Sequence, residues 1–191
     1  PAPPKDPSTL DTWILARLSE LTSQVSDGFN RYLLDTALRP IPQFVDDLST
    51  WYLRRSRDRF KGDDMEDLRR VSQTLRYVLL ETAKIIAPVM PFYAETLYES
   101  VRWSSDVESV HLCAWPRLGE VDKDVIDRMD VTRKIVEVAH AIRAKEGLKV
   151  RQPLAELLYR VEVKRKDLTT EFQQIIAEEV NVKKVVMVNE M

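Results

Sequence analysis

Between Trp51 and Lys61 the chain reads Trp-Tyr-Leu-Arg-Arg-Ser-Arg-Asp-Arg-Phe-Lys, setting five cations (Arg54, Arg55, Arg57, Arg59 and Lys61) against one anion, Asp58. Trp51, Tyr52 and Phe60 are interleaved with them. A guanidinium carries a rigid fork of donors that matches two oxygens of a phosphate at once. The whole chain holds 29 Lys+Arg and 31 Asp+Glu, a formal net charge of −2. A cationic run in such a chain is a local patch rather than general stickiness, and the ligand it suits is a polyanion, foremost RNA. At 100° per residue Phe44, Leu48, Trp51 and Tyr52 share an arc that must be buried, with Trp51 expected in the core, and Arg55 and Arg59 project onto that arc further on. Arg54, Arg57 and Lys61, spaced i, i+3, i+7, form a separate outward stripe. A weaker basic group, Lys145, Lys149 and Arg151, surrounds Gly147.

Other chemistry is sparse. His111 and His140 lack metal-ligand spacing, and the single cysteine, Cys113, rules out an internal disulfide and fits a reducing compartment. Asp46-Asp47 and Asp63-Asp64 read as solvated charge and helix capping rather than an acid–base pair. There is no glycine-rich phosphate loop and no dinucleotide fingerprint. No catalytic residue, metal site or cofactor is expected in this segment. No apolar run reaches the 18–20 residues that span a bilayer, so no membrane partner is expected.

The elements that must position the basic run are helical. The chain has 191 residues, 44% hydrophobic, with only four glycines. Residues 1–7 are proline-rich and expected to form an extended linker; the start without methionine suggests a segment of a longer polypeptide or a tag remnant. Ser8 with Asp11 has capping-box spacing ahead of a helix over 9–30. Pro40 and Pro42 predict a kink near 39–42, followed by a straight helix over 43–60. Further helices are expected over 65–86, over 91–102 with Pro91 in the first turn, and over 122–146, with Ile135, Val138, Ala139 and Ile142 as the last one's apolar stripe. Val110-His111-Leu112 suggests a short extended piece. Alternation over 157–163 predicts a strand, then a helix over 168–180 and a second strand over 184–188. The expected fold is mainly α: a bundle of about five helices over 8–147, then a small strand–helix–strand α/β appendage over 148–191.

Several segments together resemble a known family. They are Asp11-Thr12-Trp13-Ile14-Leu15-Ala16-Arg17-Leu18; Phe44 to Arg57; Ala87-Pro88-Val89-Met90-Pro91-Phe92 with Glu95 and Tyr98; Ser109-Val110-His111-Leu112 with Trp115-Pro116; and Gly147-Leu148-Lys149-Val150-Arg151-Gln152-Pro153-Leu154. The chain resembles the anticodon-binding region of class I aminoacyl-tRNA synthetases, most closely the isoleucyl-tRNA synthetases of the type shared by eukaryotes and some bacteria. The Pro-x-x-Pro-Phe and Trp-Pro segments are similar across the valine, leucine and isoleucine enzymes, while the Trp-Tyr-x-Arg-Arg-Ser-Arg and Lys-Val-Arg-Gln-Pro-Leu runs narrow the likeness. Lys61 departs from the family's tryptophan.

The resemblance implies a cytoplasmic helical bundle that docks the anticodon stem-loop of a tRNA, isoleucine tRNA by this likeness. The parent enzyme would use ATP and magnesium to charge it, through catalytic and editing domains whose motifs this segment lacks. Alternatives are the equivalent segment of a valyl- or leucyl-tRNA synthetase, or a helical protein–protein interaction module without RNA binding.

Overall fold

The computed structural model describes residues 5–117, 119, 121–160 and 168–188. The chain forms two compact units, Pro1–Asp122 and Lys123–Met191.

In the first unit Ser8 caps helix α1, Thr9–Asn30. The Asp11 amide donates to Ser8 Oγ (3.2 Å) and the Ser8 amide to Asp11 (3.0 Å), the reciprocal box expected from the spacing. Trp13, Ile14, Leu18, Leu21 and Val25 are its buried face. A short α2, Leu34–Leu38, folds back on it. The approach is very close: a Cβ on Gly28 would lie 2.6 Å from Cβ and 2.7 Å from Cα of Ala37. Gly28→Ala must therefore push backbone apart. We expect a loss of about 1–3 kcal/mol, offset in part by the ~0.5–1 kcal/mol helix preference for Ala, read as a lowered urea midpoint.

The α-helix is interrupted at Arg39, where Pro40 lacks a backbone donor, although Arg39 itself keeps helical dihedrals (φ −54°, ψ −38°) against the pre-proline expectation; α3, Pro40–Asp46, starts with Pro40 in its first turn. The expected straight α-helix does not follow. Asp47–Leu53 is π-helical, helical geometry ends at Arg55, and residues 56–60 form turns. A π turn stacks residue i over i+5. It thereby brings Asp47 and Tyr52, five apart, onto the face toward α1, both fully buried.

Helix α4, Met65–Ile86, is capped by Asp64, which accepts the amides of Glu66 and Asp67. It packs on α1 and on α5, Pro91–Val101, and so buries a wider arc than one stripe. Between α4 and α5 lies a core of Leu80, Ala83, Ile86, Ala94, Tyr98 and Val110. Tyr77, on the same helix, is pushed up to about 12 by burial and by the nearby Glu81. Val110–Leu112 is a 3₁₀ turn rather than an extended piece, because Glu95 accepts both Ser109 Oγ (2.9 Å) and the Val110 amide (3.0 Å) and curls it.

The second unit holds α6 (Lys123–Lys145), β1 (Leu157–Tyr159), α7 (Thr170–Val180) and β2 (Val185–Met187). The strands pair in parallel, Leu157 with Val185 and Tyr159 with Met187. Residues 161–163 of the expected first strand lie outside the described residues. The compact units part at Asp122/Lys123, whereas the sequence reading places the boundary after Gly147. Helix α6 belongs with α7 because it has two apolar stripes, and the one packed is Val125, Met129, Val136 and Ala139, with Thr132 and Arg143 in line. The expected stripe is largely open: Val138 and Ile142 are exposed and line a groove with Leu157 and Leu158.

Candidate nucleic-acid interface

The five cations of the basic run separate by exposure: Arg54, Arg57 and Lys61 are exposed, Arg55 and Arg59 half-buried. Arg59 points inward, its side chain 18% exposed. Its fork donates to both carboxylate oxygens of Asp11 (3.0 and 2.9 Å) and to both of Asp67 (2.9 and 2.8 Å), and it touches Ser8 Oγ. Asp11 is fully buried and also accepts the Tyr52 hydroxyl at 2.6 Å. One guanidinium thus ties the start of α1 to the start of α4 and to the π-helical segment. Arg59, expected among the phosphate contacts, has all five of its donors engaged inside the protein. Arg55 is half-buried, with its Nε out of contact with solvent, as its arc required.

Burial pushes the Asp11 carboxyl up, but the Arg59 fork, the Tyr52 hydroxyl and Ser8 outweigh it and hold it below the ordinary 3.8. Asp67 is held low chiefly by the same fork. Burial opposes the Arg59 charge, yet the two carboxylates raise its pKa above the usual value. Burial and the neighbouring Asp11 drive the Tyr52 phenol up. Both carboxyls are depressed in the fold, so the stability they add is complete above the unfolded value near 3.8 and is lost as pH falls through the lower folded values. We expect the urea midpoint to drop steeply below about pH 4, and Asp67→Asn to make that drop shallower.

Arg54, Arg57 and Lys61 are exposed, which is the outward stripe the spacing predicts. Arg54 anchors its Nε on the Thr50 carbonyl (2.8 Å) and lies 5.8 Å from the centre of the Trp51 ring. Trp51 is half-buried rather than in the core, because the π turn places Tyr52 inward in its stead. No carboxylate among the described residues pairs with Arg57 or Lys61. Their turn is fixed by Ser56 N–H to Tyr52 O (2.9 Å), Phe60 N–H to Ser56 O (3.2 Å) and the Arg59 clamp. Asp47 differs from the solvated acid its pairing with Asp46 suggested. It is buried and held by Arg17 Nε at 2.9 Å, while Asp46 stays exposed.

In the second unit Lys145, the last residue of α6, and Lys149 and Arg151, on the loop that follows, are exposed. Gly147 ends the helix with φ +67°. Sequence reasoning missed what supports this loop. Arg143, almost fully buried, donates to the carbonyls of Lys149 (3.1 Å), Gln152 (3.0 Å) and Asn181 (3.1 Å), and Asn181 Nδ2 donates to Val150 O (2.9 Å). The signal available was an arginine in register with Ala139 on a buried stripe. The loop backbone is pinned from beneath, and the Lys149 and Arg151 side chains are left to solvent.

Among the described residues no group of three or more His, Cys, Asp or Glu comes together that could hold a metal ion. Among the same residues no helix is long and apolar enough to cross a membrane. Two hydrogen-bonded turns thus carry exposed cations, Arg57 and Lys61 on one and Lys149 and Arg151 on the other.

Comparison with known proteins bears on the same residues. The family described as anticodon-binding domain of tRNA ligase matches residues 11–159. The isoleucine–tRNA ligase of Chlamydia caviae is 41% identical over 186 residues, 96% of this chain and 18% of that protein. Those of Chlamydia pneumoniae (40% over 185 residues, 95% and 18%) and Protochlamydia amoebophila (40% over 181 residues, 92% and 17%) are similar. The chain spans less than a fifth of the length of the curated relatives it matches.

Proposed function

Since the chain belongs to the family of anticodon-binding domains of tRNA ligases, we propose that it docks the anticodon stem-loop of isoleucine tRNA for an isoleucine–tRNA ligase. The observation that carries the reading is the division of labour in the basic run. Arg59 spends its charge internally, and that contact makes rigid the turn on which Arg57 and Lys61 project. Phosphate contacts of this kind fix register and orientation without reading sequence. In the parent enzyme they would set where the distant acceptor end of the tRNA lands. Base readout requires splayed loop bases, met by stacking or edge contacts.

On this reading the parent reaction, joining isoleucine to its tRNA at the expense of ATP with magnesium, would belong to the catalytic domain of a longer cytoplasmic chain, and removal of mischarged products to its editing domain. The residues here fit neither ATP nor magnesium: there is no phosphate-cradling glycine loop in the sequence, and no carboxylate cluster among the described residues. This segment supplies position, not chemistry.

The test is a titration of the 191-residue chain with isoleucine tRNA and with a non-cognate tRNA at two salt concentrations. If four or five phosphates are engaged, log affinity falls against log salt with a slope of roughly −3 to −4. Absence of binding to either tRNA at low salt would refute the docking role.

A further inference from the structure

Among the described residues three helices end in a left-handed residue, and one of the three is anomalous. After α6, Gly147 (φ +67°) takes that place, with Leu148 N–H bonded to Arg143 O (2.8 Å) and Gly147 N–H to Ala144 O (3.2 Å). After α7 it is Asn181 (φ +53°), with Val182 N–H bonded to Ala177 O (2.9 Å). Glycine has no Cβ to clash, and asparagine tolerates the conformation; here its side chain is also used, donating to Val150 O. After α1 the same motif forms, with Leu33 N–H bonded to Gly28 O (2.9 Å) and Tyr32 N–H to Phe29 O (3.1 Å), but the left-handed residue is Tyr32 at φ +57°.

A tyrosine there is strained, and strain of this kind persists where something else requires the residue. Packing does not require it: Tyr32 is 91% exposed, and no hydrogen bond or ring contact of its side chain exists among the described residues. The cap sends an aromatic ring into solvent on a segment with exposed Leu33 and Leu34, and the nearest cations along the chain, Arg31 and Arg39, form exposed surface pairs with Asp27 (3.2 Å) and Asp35 (3.2 Å). A flat ring held out in solvent with no partner of its own is a surface that an unpaired nucleobase stacks on. Helix α1, 22 residues long, separates Tyr32 from the Arg59 end of the unit by about 33 Å. That is about ten stacked base steps at ~3.4 Å each, within reach of one stem-loop.

The geometry points to Tyr32 as a stacking platform for an unpaired base of the RNA. This rests on the docking role proposed above. An aromatic anchor for another protein is the competing use of the same ring.

The experiment compares wild type, Tyr32→Phe and Tyr32→Gly in the 191-residue chain. The probes are an anticodon stem-loop carrying 2-aminopurine at successive loop positions and a fully paired duplex of the same stem. Tyr32→Gly is expected to raise the melting temperature by about 2–4 °C, so lost binding cannot be lost folding. It should weaken the stem-loop by about fivefold to a hundredfold, leave the duplex unchanged, and abolish quenching at one loop position. Tyr32→Phe should behave as wild type. Unchanged stem-loop affinity and quenching in Tyr32→Gly, or equal loss on both probes, overturns the stacking role while the docking reading stands. If wild type binds neither probe, the docking reading falls first and Tyr32 with it.

Discussion

Replacing Arg59 with alanine is expected to remove about 3–5 kcal/mol of stability, because it leaves a fully buried carboxylate without its counter-charge. Against the ~5–15 kcal/mol that holds a typical domain together, this is a large fraction. Asp11 keeps only the Tyr52 hydroxyl and Ser8, neither of which carries charge. Asp67 loses its fork too, but it is partly exposed and water replaces much of the contact. Asp67→Ala should therefore cost less than Arg59→Ala. Arg59→Lys should fall near the alanine variant, since a single ammonium cannot bridge two carboxylates on different helices. Urea denaturation followed by circular dichroism at 222 nm reads all three. A cost for Arg59→Ala below about 1 kcal/mol, the range of a surface pair, would mean that the clamp is ornamental.

The second large effect is on binding. Reversing Arg54, Arg57 and Lys61 together to glutamate should weaken a tRNA stem-loop by at least about a hundredfold. Hydrogen bonds to charged groups contribute about 1.5–3 kcal/mol each, and the loss of two already reaches that factor. All three side chains are exposed; Arg57 and Lys61 should change without cost to the fold, while Arg54 also gives up its bond to the Thr50 carbonyl, so the helical signal and urea midpoint are measured beside the affinity. Arg59→Ala offers the contrast, since it should lose stability first and affinity only through the loosened turn that carries Arg57 and Lys61.

Much of this architecture is legible in the sequence because local rules govern it. Ser8 and Asp11 mark the start of α1, Asp64 that of α4, Pro91 that of α5, and Gly147 the end of α6, and each element begins or ends within two residues of its expected bound. What escaped depends on partners distant in sequence. The π turn over Asp47–Leu53 exists so that Asp47 can meet Arg17 and Tyr52 can meet Asp11, contacts spanning 30 and 41 residues that no 3.6-residue period contains. Arg59 looked like one more phosphate ligand because its acids lie 48 and 8 residues away. Helix α6 carries two apolar stripes, and the choice between them is made by α7. The outward stripe of Arg54, Arg57 and Lys61 was legible, since exposure follows from what the other faces must bury. The Arg143 support of the second basic loop was not, because a buried arginine serving backbone carbonyls leaves no charge pattern.

The most direct measurement is the salt dependence of stem-loop affinity for wild type beside the triple variant Arg54→Ala, Arg57→Ala, Lys61→Ala. If these three side chains neutralise phosphates, the slope of log affinity against log salt should become shallower by about 2–3, close to one unit for each cation removed. Identical slopes for the two proteins would show that the phosphates are gripped elsewhere, and the account of this basic turn as the docking surface would be wrong.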